Sequence, residues 1–164
     1  MIILLIGVAG AGKTTVGKLL ASQLGWEFAD ADNYHSAANI RKMRHGIPLT
    51  DADRAPWLEA LRALISDWLT ARKNAVLACS ALKQSYRDSL RVSPEVSIVY
   101  LRVPAQVLQQ RLRDRHGHFM TEAMLQSQLQ ALEEPQNSVT IDAHGLPAKI
   151  VAEIMSKLQL TKVP

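Results

Sequence analysis

The segment from Gly7 to Thr14 has the residue types and the spacing needed to bind a phosphate chain. It reads GVAGAGKT, a complete G-x-x-x-x-G-K-[ST] pattern between an apolar run and an amphipathic segment. Glycines let successive amides face phosphate oxygens, and the positive end of the following helix adds to the attraction. A flexible turn would explain neither the lysine nor the threonine. The segment predicts a nucleoside triphosphate site, with Lys13 on the β and γ phosphates. Its predicted nucleotide-binding residues are Gly7, Gly10, Ala11, Gly12, Lys13, Thr14 and Thr15.

Two aspartates, Asp30 and Asp32, end the second apolar run. In an extended strand alternate side chains share a face, so we expect both carboxylates to point the same way. Because the carboxyl ends of parallel strands meet at one edge of a sheet, both should lie near the phosphate-binding segment. Asp30 and the Thr14 hydroxyl are then the expected Mg²⁺ ligands, and Asp32 would orient an acceptor hydroxyl and take its proton late. Solvated loop aspartates, or a helix cap at Asp32, are the alternative interpretation.

The segment 33–57 is rich in polar and basic residues and poor in apolar ones. Donors and acceptors combined with positive charge suit an acceptor that carries hydroxyl groups and negative charge, because a polar site rejects ligands that leave its groups unpaired. A polyhydroxy acid fits better than a nucleobase. Taken singly, such basic residues are more often ordinary surface charges, and His35 can be a helix cap or an exposed side chain. The polar residues are His35, Asn39, Arg41, Lys42, Arg44, Asp51, Asp53 and Arg54.

The elements that must position these residues alternate along the chain. Short apolar runs with β propensity are separated by segments of helical periodicity, which predicts an α/β fold with parallel strands and helical crossovers. We expect one domain over residues 1–164. The expected strands are 2–6, 27–30, 75–80, 96–103 and 138–142, and the expected helices are 14–24, 53–71, 104–115, 121–133 and 147–158.

Composition narrows the class of protein. The chain has 164 residues, a formal net charge of +4 and one cysteine, Cys79. That charge permits attraction to a small anion but is too small to indicate nucleic acid, and the few aromatic residues are not interleaved with arginines. The apolar N-terminal run lacks the basic leader of a signal peptide, and no other run approaches the ~20 residues of a membrane span. We expect a cytoplasmic protein without a nucleic-acid or membrane partner.

Three longer motifs resemble the gluconate kinase family. From Asp30 to Leu58 the chain reads DADNYHSAANIRKMRHGIPLTDADRAPWL, similar to the family's D-x-D and histidine followed by N-I-x-K-M-x-x-G-x-P-L-x-D-x-D-R-x-P-W-L. From Cys79 to Arg91 it reads CSALKQSYRDSLR, similar to C-S-A-L-K-x-x-Y-R-D-x-L-R, and RLRDRHGHFM at 111–120 resembles the family's lid. The similarity extends to LEEP at 132–135.

The resemblance implies ATP- and Mg²⁺-dependent transfer of the γ-phosphoryl group to the terminal hydroxyl of D-gluconate, giving 6-phosphogluconate. It implies the three-layer P-loop NTPase fold of shikimate and nucleoside monophosphate kinases, with a five-stranded parallel sheet, a short lid at about 115–120, an acceptor-binding insertion at about 33–57, and a homodimer. Lys83 and Arg87, four residues apart, would share a helix face and hold a carboxylate. The implied gluconate-binding residues are Asp32, His35, Lys42, Arg54, Ser80, Lys83 and Arg87.

Arg111 and Arg115 have the same spacing on the helix that enters the lid. In relatives with this fold, arginines so placed pack against adenine or bind the phosphates, so the resemblance implies that both bind the nucleotide. It also implies that Arg115 is catalytic together with Lys13 and Asp32, since an arginine that stabilises the transferring charge can be worth ~10³ to 10⁵ in rate. The segment DAHGLP at 142–147 resembles the loop that holds adenine. The lid has no cysteine, which argues against a zinc-bound lid.

Three alternatives stay open at this point. A related kinase could act on shikimate or another hydroxylated acid. A nucleotide-dependent switch would keep the phosphate-binding segment but has no need of the D-x-D and its polar insertion. A nucleic-acid end kinase would require a basic groove along the backbone and salt-sensitive binding, for which the charge is too small.

Overall fold

The computed structural model describes residues 1–114 and 122–162. A parallel sheet forms its centre, and the strands are β1 (Ile2–Ile6), β2 (Glu27–Asp30), β3 (Ala75–Cys79), β4 (Val96–Arg102) and β5 (Val139–Asp142). Their order in the sheet is β2-β3-β1-β4-β5, and every pairing between them is parallel. Parallel neighbours need crossovers, which the helices supply.

The helices cover both faces of this sheet. They are α1 (Lys13–Leu24), α2 (Ala37–Arg44), α3 (Asp51–Thr70), α4 (Gln84–Leu90), α5 (Ala105–Asp114), α6 (Glu122–Ala131) and α7 (Pro147–Lys157), with a 3₁₀ helix at Ala31–Tyr34. Within the described parts of the chain, none of the helices has the length and apolar character needed to cross a membrane.

The central strand β1 is apolar throughout because both of its faces are buried. Ile3 and Leu5 pack on the face that carries α1 and α7, whereas Ile2, Leu4 and Ile6 pack on the face that carries α3 and α4. All five side chains are fully buried. Both faces of the sheet are closely packed, and the loops at the carboxyl ends of its strands extend from this packed core.

The predicted α/β fold with a five-stranded parallel sheet is confirmed. Strand boundaries agree with the sequence-based ones to within one residue at each end. The helix expected to begin at Asp53 begins instead at Asp51, because Thr50 caps it: the Thr50 hydroxyl accepts from the Asp53 amide at 3.1 Å and the Asp53 carboxylate accepts from the Thr50 amide at 2.9 Å. The helix ends expected at residues 115 and 121 lie outside the described residues.

The chain turns sharply after β2, which the sequence analysis did not foresee. The strand ends at Asp30, whose Oδ1 accepts a hydrogen bond from the Asp32 amide at 3.1 Å, and this contact starts the 3₁₀ helix. Trp57 of α3 holds that helix in place, since its Nε1 donates to the Ala31 carbonyl at 2.7 Å. The prediction that the two aspartates share one face of an extended strand is therefore wrong, because a short Asx-type contact competes with continuation of the strand.

Candidate active site

The phosphate-binding loop joins the end of β1 to the start of α1, as its pattern predicts. Gly10 and Gly12 have φ values of 82° and 92°, which are conformations that residues with a Cβ rarely adopt. Gly7 is required for a different reason, because a Cβ there would lie 2.9 Å from the Leu101 carbonyl oxygen of β4. The Lys13 ammonium lies over the loop and donates to the Val8 carbonyl at 3.0 Å. The loop thus has the closely folded backbone that phosphate binding needs.

Thr14 and Asp30, the predicted metal ligands, are in direct contact. The Thr14 hydroxyl donates to Asp30 Oδ2 at 2.6 Å, and Asp30 lies on the strand next to β3, at the carboxyl edge of the sheet. Among the described residues no cluster of three or more His, Cys, Asp and Glu side chains could hold a metal by itself. A hydroxyl and a single carboxylate beside a phosphate loop suit Mg²⁺, which keeps several waters and takes other ligands from the substrate phosphates.

A cavity of about 630 Å³ opens at this edge of the sheet. The phosphate-binding loop forms one side of it, and residues of the 3₁₀ helix, α3 and the segment from β3 to α4 form the other. Most of the residues predicted for the site line this one cavity. They are Gly10, Gly12, Lys13, Thr14, Thr15, Asp30, Asp32, His35, Arg54, Ser80, Lys83 and Arg111.

His35 and Trp57 form a flat wall of the cavity. Their rings stack with centroids 4.6 Å apart and planes 7° from parallel. His35 Nδ1 is buried and has no hydrogen-bond partner among the described residues. Burial lowers the pKa of His35, an effect that the nearby Asp32 carboxylate opposes and Arg54 reinforces. The lowered pKa favours the neutral imidazole at pH 7, in which one ring nitrogen donates and the other accepts.

Three cavity-lining side chains, from α3 and from the start of α4, meet around Asp51. Lys83 Nζ lies 2.8 Å from both carboxylate oxygens of Asp51, and the Tyr86 hydroxyl donates to the same carboxylate. Arg54 reaches the Tyr86 hydroxyl at 3.4 Å and Asp51 at 3.8 Å. The hydrogen bond to Asp51 raises the pKa of Lys83, and Lys83 with Tyr86 lowers the pKa of Asp51. Lys83 thus stays charged there, beside the Arg54 guanidinium.

Tyr86 and Arg44 are two of the cavity-lining residues that the sequence analysis did not assign to the site. Tyr86 belongs to the quoted motif CSALKQSYRDSLR, so its position there was the available signal. Arg44 lies in a part of the motif where no residue type is fixed, and only its place at the end of α2 brings it to the cavity.

Lys42 is turned toward α3 and does not line the cavity. Its ammonium lies 2.8 and 2.9 Å from the two carboxylate oxygens of Asp53. Together with the hydrogen bonds from Thr50, this contact lowers the pKa of Asp53 to about 2. Lys42 therefore ties α2 to the start of α3, and its predicted contact with the acceptor is not supported by its position.

Arg87 is fully buried behind the cavity wall and does not line it. Its guanidinium donates to the carbonyl oxygens of Ala81, Leu82 and Glu133 at 2.9, 2.8 and 2.7 Å, and to Gln84 Oε1 at 2.9 Å. Lys83 is the extended residue that precedes α4, so the two cations do not share a helix face. The predicted shared carboxylate site is therefore not formed, and Arg87 instead holds the start of α4 to the chain that leaves α6.

Arg111 of α5 bridges the phosphate-binding loop and the loop after β5. Its guanidinium donates to the Gly10 and Ala143 carbonyl oxygens, both at 3.0 Å. This position agrees with the expected contact between Arg111 and the nucleotide. Arg115 and the expected lid at 115–120 lie outside the described residues.

Three comparisons with known proteins, by family model, by sequence and by structure, agree with one another. The family described as AAA domain matches residues 2–135. A curated relative, the probable gluconokinase of Mus musculus, is 39% identical, and the alignment covers 96% of this chain and 97% of that protein. The crystal structure of a gluconokinase from Sinorhizobium meliloti 1021 is 43% identical with a TM-score of 0.84, covering 96% of this chain and 90% of that one. A shikimate kinase structure from Aquifex aeolicus, 18% identical with a TM-score of 0.65, covers 97% and 96% of the two chains and shares the fold.

Proposed function

This chain belongs to the gluconokinase family of P-loop kinases, and we infer from this that it transfers the γ-phosphoryl group of ATP to the terminal hydroxyl of D-gluconate, giving ADP and 6-phospho-D-gluconate. The composition of the cavity is the structural observation that best supports this inference. A single cavity brings the phosphate-binding loop together with a wall that carries Asp32, a neutral His35 and two cations. A nucleotide-dependent switch needs only the first of these two parts.

On the nucleotide side, the loop amides and Lys13 would hold the β and γ phosphates. Arg111, already fixed between the loop and Ala143, would lie against the adenine or the phosphates. Arg115 at the start of the lid is proposed to meet the transferring charge, as the family resemblance implies. Closure of the lid at 115–120 would exclude water, so that the acceptor and not solvent takes the phosphoryl group.

Mg²⁺ is the proposed metal, held by the Thr14 hydroxyl and, directly or through water, by the Asp30 carboxylate. The contact of 2.6 Å between them places a hydroxyl and a carboxylate oxygen together beside the loop. When bound, the ion would neutralise charge on the β and γ phosphate oxygens.

On the acceptor side, Asp32 would orient the terminal hydroxyl of gluconate. A bond forms between the hydroxyl oxygen and the γ phosphorus, the bond from that phosphorus to the oxygen left on ADP breaks, and the hydroxyl proton passes late to Asp32. His35 and Ser80 would bond the sugar hydroxyls. Arg54 and Lys83 would attract the gluconate carboxylate.

Three wider proposals accompany the reaction, of which the single domain and the cytoplasmic location come from the sequence pattern and the homodimer from the family resemblance. The whole chain, residues 1–164, forms one kinase domain, the enzyme is a homodimer, and it works in the cytoplasm with D-gluconate as its small-molecule partner. Light scattering coupled to gel filtration tests the dimer, since a mass near 18.1 kDa, that of one chain, would contradict it.

A coupled ADP-release assay with Mg²⁺-ATP tests the reaction itself. D-gluconate, shikimate, AMP and no acceptor are compared on the native protein, on Asp32→Asn, and on Asp67→Asn as an exposed control on α3. We expect turnover with gluconate alone, lower by about 10² to 10⁴ in Asp32→Asn and unchanged in the control. Slow ATP hydrolysis that is indifferent to the acceptor would leave only the nucleotide site, and turnover with shikimate alone would move the activity to the related kinase.

A further inference from the structure

A glutamine of α6 contacts the phosphate-binding loop. The backbone amide of Ala9 donates to Gln128 Oε1 at 2.8 Å, across 119 residues of sequence. Ala9 is the third residue of the eight-residue loop and lines the cavity together with Gln128 and Lys13. This contact was not anticipated from the sequence, because nothing in a run of helical glutamines shows which of them faces the loop.

The contact fixes the orientation of the Gln128 side chain. A backbone N–H can only donate, so the glutamine oxygen must be the atom that faces Ala9. The NH₂ group is the other arm of the same planar amide, and it is therefore a donor held in a fixed position at the loop. Donors placed around a phosphate loop bind phosphate oxygens.

We propose that Gln128 is a phosphate-binding residue of the kinase. Its Oε1 accepts from the Ala9 amide, while its Nε2 donates to the γ phosphate, the terminal phosphate of bound ATP. This rests on the proposed function, since it assumes that the loop holds the phosphates of ATP. Gln128 lies on α6, so the same bond connects that helix to the loop. A helix brace would need only the oxygen, whereas phosphate binding needs the NH₂ as well.

Replacing Gln128 by glutamate separates these two roles. A carboxylate still accepts from the Ala9 amide, but it replaces the NH₂ donor with an anionic oxygen that repels phosphate. The exposed neighbours Gln126 and Gln130 offer matched controls, because Gln126→Glu and Gln130→Glu make the same change of charge on the same helix away from the cavity wall. Gln128→Ala removes both hydrogen bonds without adding charge.

The experiment is titration calorimetry of each variant with ADP and with a non-hydrolysable ATP analogue, in the presence of Mg²⁺ and without acceptor. We expect Gln128→Glu to weaken binding of the triphosphate analogue by about tenfold or more and binding of ADP by less than about threefold, since only the analogue carries the terminal phosphate. Gln128→Ala should weaken analogue binding less than the glutamate variant does. The two controls should stay within about twofold for both ligands.

Two results would overturn the proposal. Native affinity of Gln128→Glu for both ligands would mean that the glutamine only braces the helix, and equal weakening for ADP and the analogue would place the contact away from the terminal phosphate. Gln128→Asn, which keeps the amide but shortens it, provides a second test if the glutamate variant does not fold, and native triphosphate binding there would also contradict the proposal. Because no acceptor is present, failure of the native enzyme to phosphorylate gluconate would be a separate result.

Discussion

The two walls of the cavity are built in different ways. The nucleotide wall is centred on one continuous loop, whose function depends mainly on backbone amides and on glycines with positive φ. The acceptor wall is assembled from side chains on the 3₁₀ helix, α3 and the segment that leads into α4, which are held by long-range contacts such as that between Lys83 and Asp51. Phosphate binding by backbone amides is kept through most side-chain substitutions. Binding of the acceptor by side chains is altered by substitution of any side chain that contacts it. Substitutions on the two walls should therefore change different kinetic constants, namely kcat on the nucleotide wall and the KM for gluconate on the acceptor wall.

Among the variants that follow, the largest effect is expected at Lys13, the one charged side chain of the phosphate-binding loop. Lys13→Ala removes the charge that would follow the γ-phosphoryl group into the transition state, so we expect kcat to fall by about 10² to 10³. Gluconate binding measured by calorimetry should stay within about twofold. Lys157→Ala, an exposed lysine of α7 outside the cavity, is the control. A loss of gluconate affinity in Lys13→Ala would show that the walls do not act separately.

A smaller effect is expected on the acceptor wall. Lys83→Ala should raise the KM for gluconate by about tenfold, because a charge-assisted hydrogen bond to the carboxylate is lost, and leave the KM for ATP unchanged. Lys73→Ala breaks a comparable exposed ion pair with Glu27 and serves as the matched control. Steady-state kinetics with each substrate varied in turn provides the measurement. If KM for ATP rises instead, Lys83 belongs to the nucleotide wall.

Arg87 tests whether the acceptor wall includes a charge behind it, because Arg87 is buried next to that wall and does not line the cavity. Arg87→Met leaves buried carbonyl groups without their donor, and we expect a loss of about 2 to 4 kcal/mol in the free energy of unfolding. The KM for gluconate should change by less than about twofold at temperatures where the variant is folded. Arg91→Met, an exposed arginine just after α4, should leave both quantities unchanged. A large rise in KM with native stability would return Arg87 to the gluconate site.

The smallest effect concerns the tie between α2 and α3. The pKa of Asp53 is about 2 in the folded protein, below the ordinary value of 3.8, because Lys42 and Thr50 bond the carboxylate. A lowered folded pKa means that the tie stabilises the fold above pH 3.8 and is lost as the pH falls toward 2. The difference in Tm between the native protein and Asp53→Asn should therefore be present at pH 7 and shrink between pH 4 and pH 2. A difference that grows in acid would contradict this assignment.

The sequence predicted the nucleotide wall more accurately than the acceptor wall, because the first is formed by consecutive residues and the second by residues far apart in the chain. The phosphate-binding loop is local, so eight consecutive residues were enough to predict its backbone and its place between β1 and α1. Lys42 and Arg87 were placed in the acceptor site by the family resemblance, but each is bonded to protein groups that the sequence does not show as neighbours. Arg87 bonds the Glu133 carbonyl, 46 residues away. For Asp32 the error was local, since the Asp30 side chain ends the strand.

Phosphorus NMR of a mixture of enzyme, Mg²⁺-ATP and D-gluconate tests the central claim most directly, because it reports the atom that receives the phosphoryl group. The account predicts that the γ signal of ATP is replaced by a phosphomonoester signal split by two protons, as on the terminal CH₂ of gluconate. A phosphomonoester split by a single proton would place the transfer on an internal hydroxyl. Formation of ADP and inorganic phosphate without any phosphomonoester would mean that the two walls do not work together on gluconate.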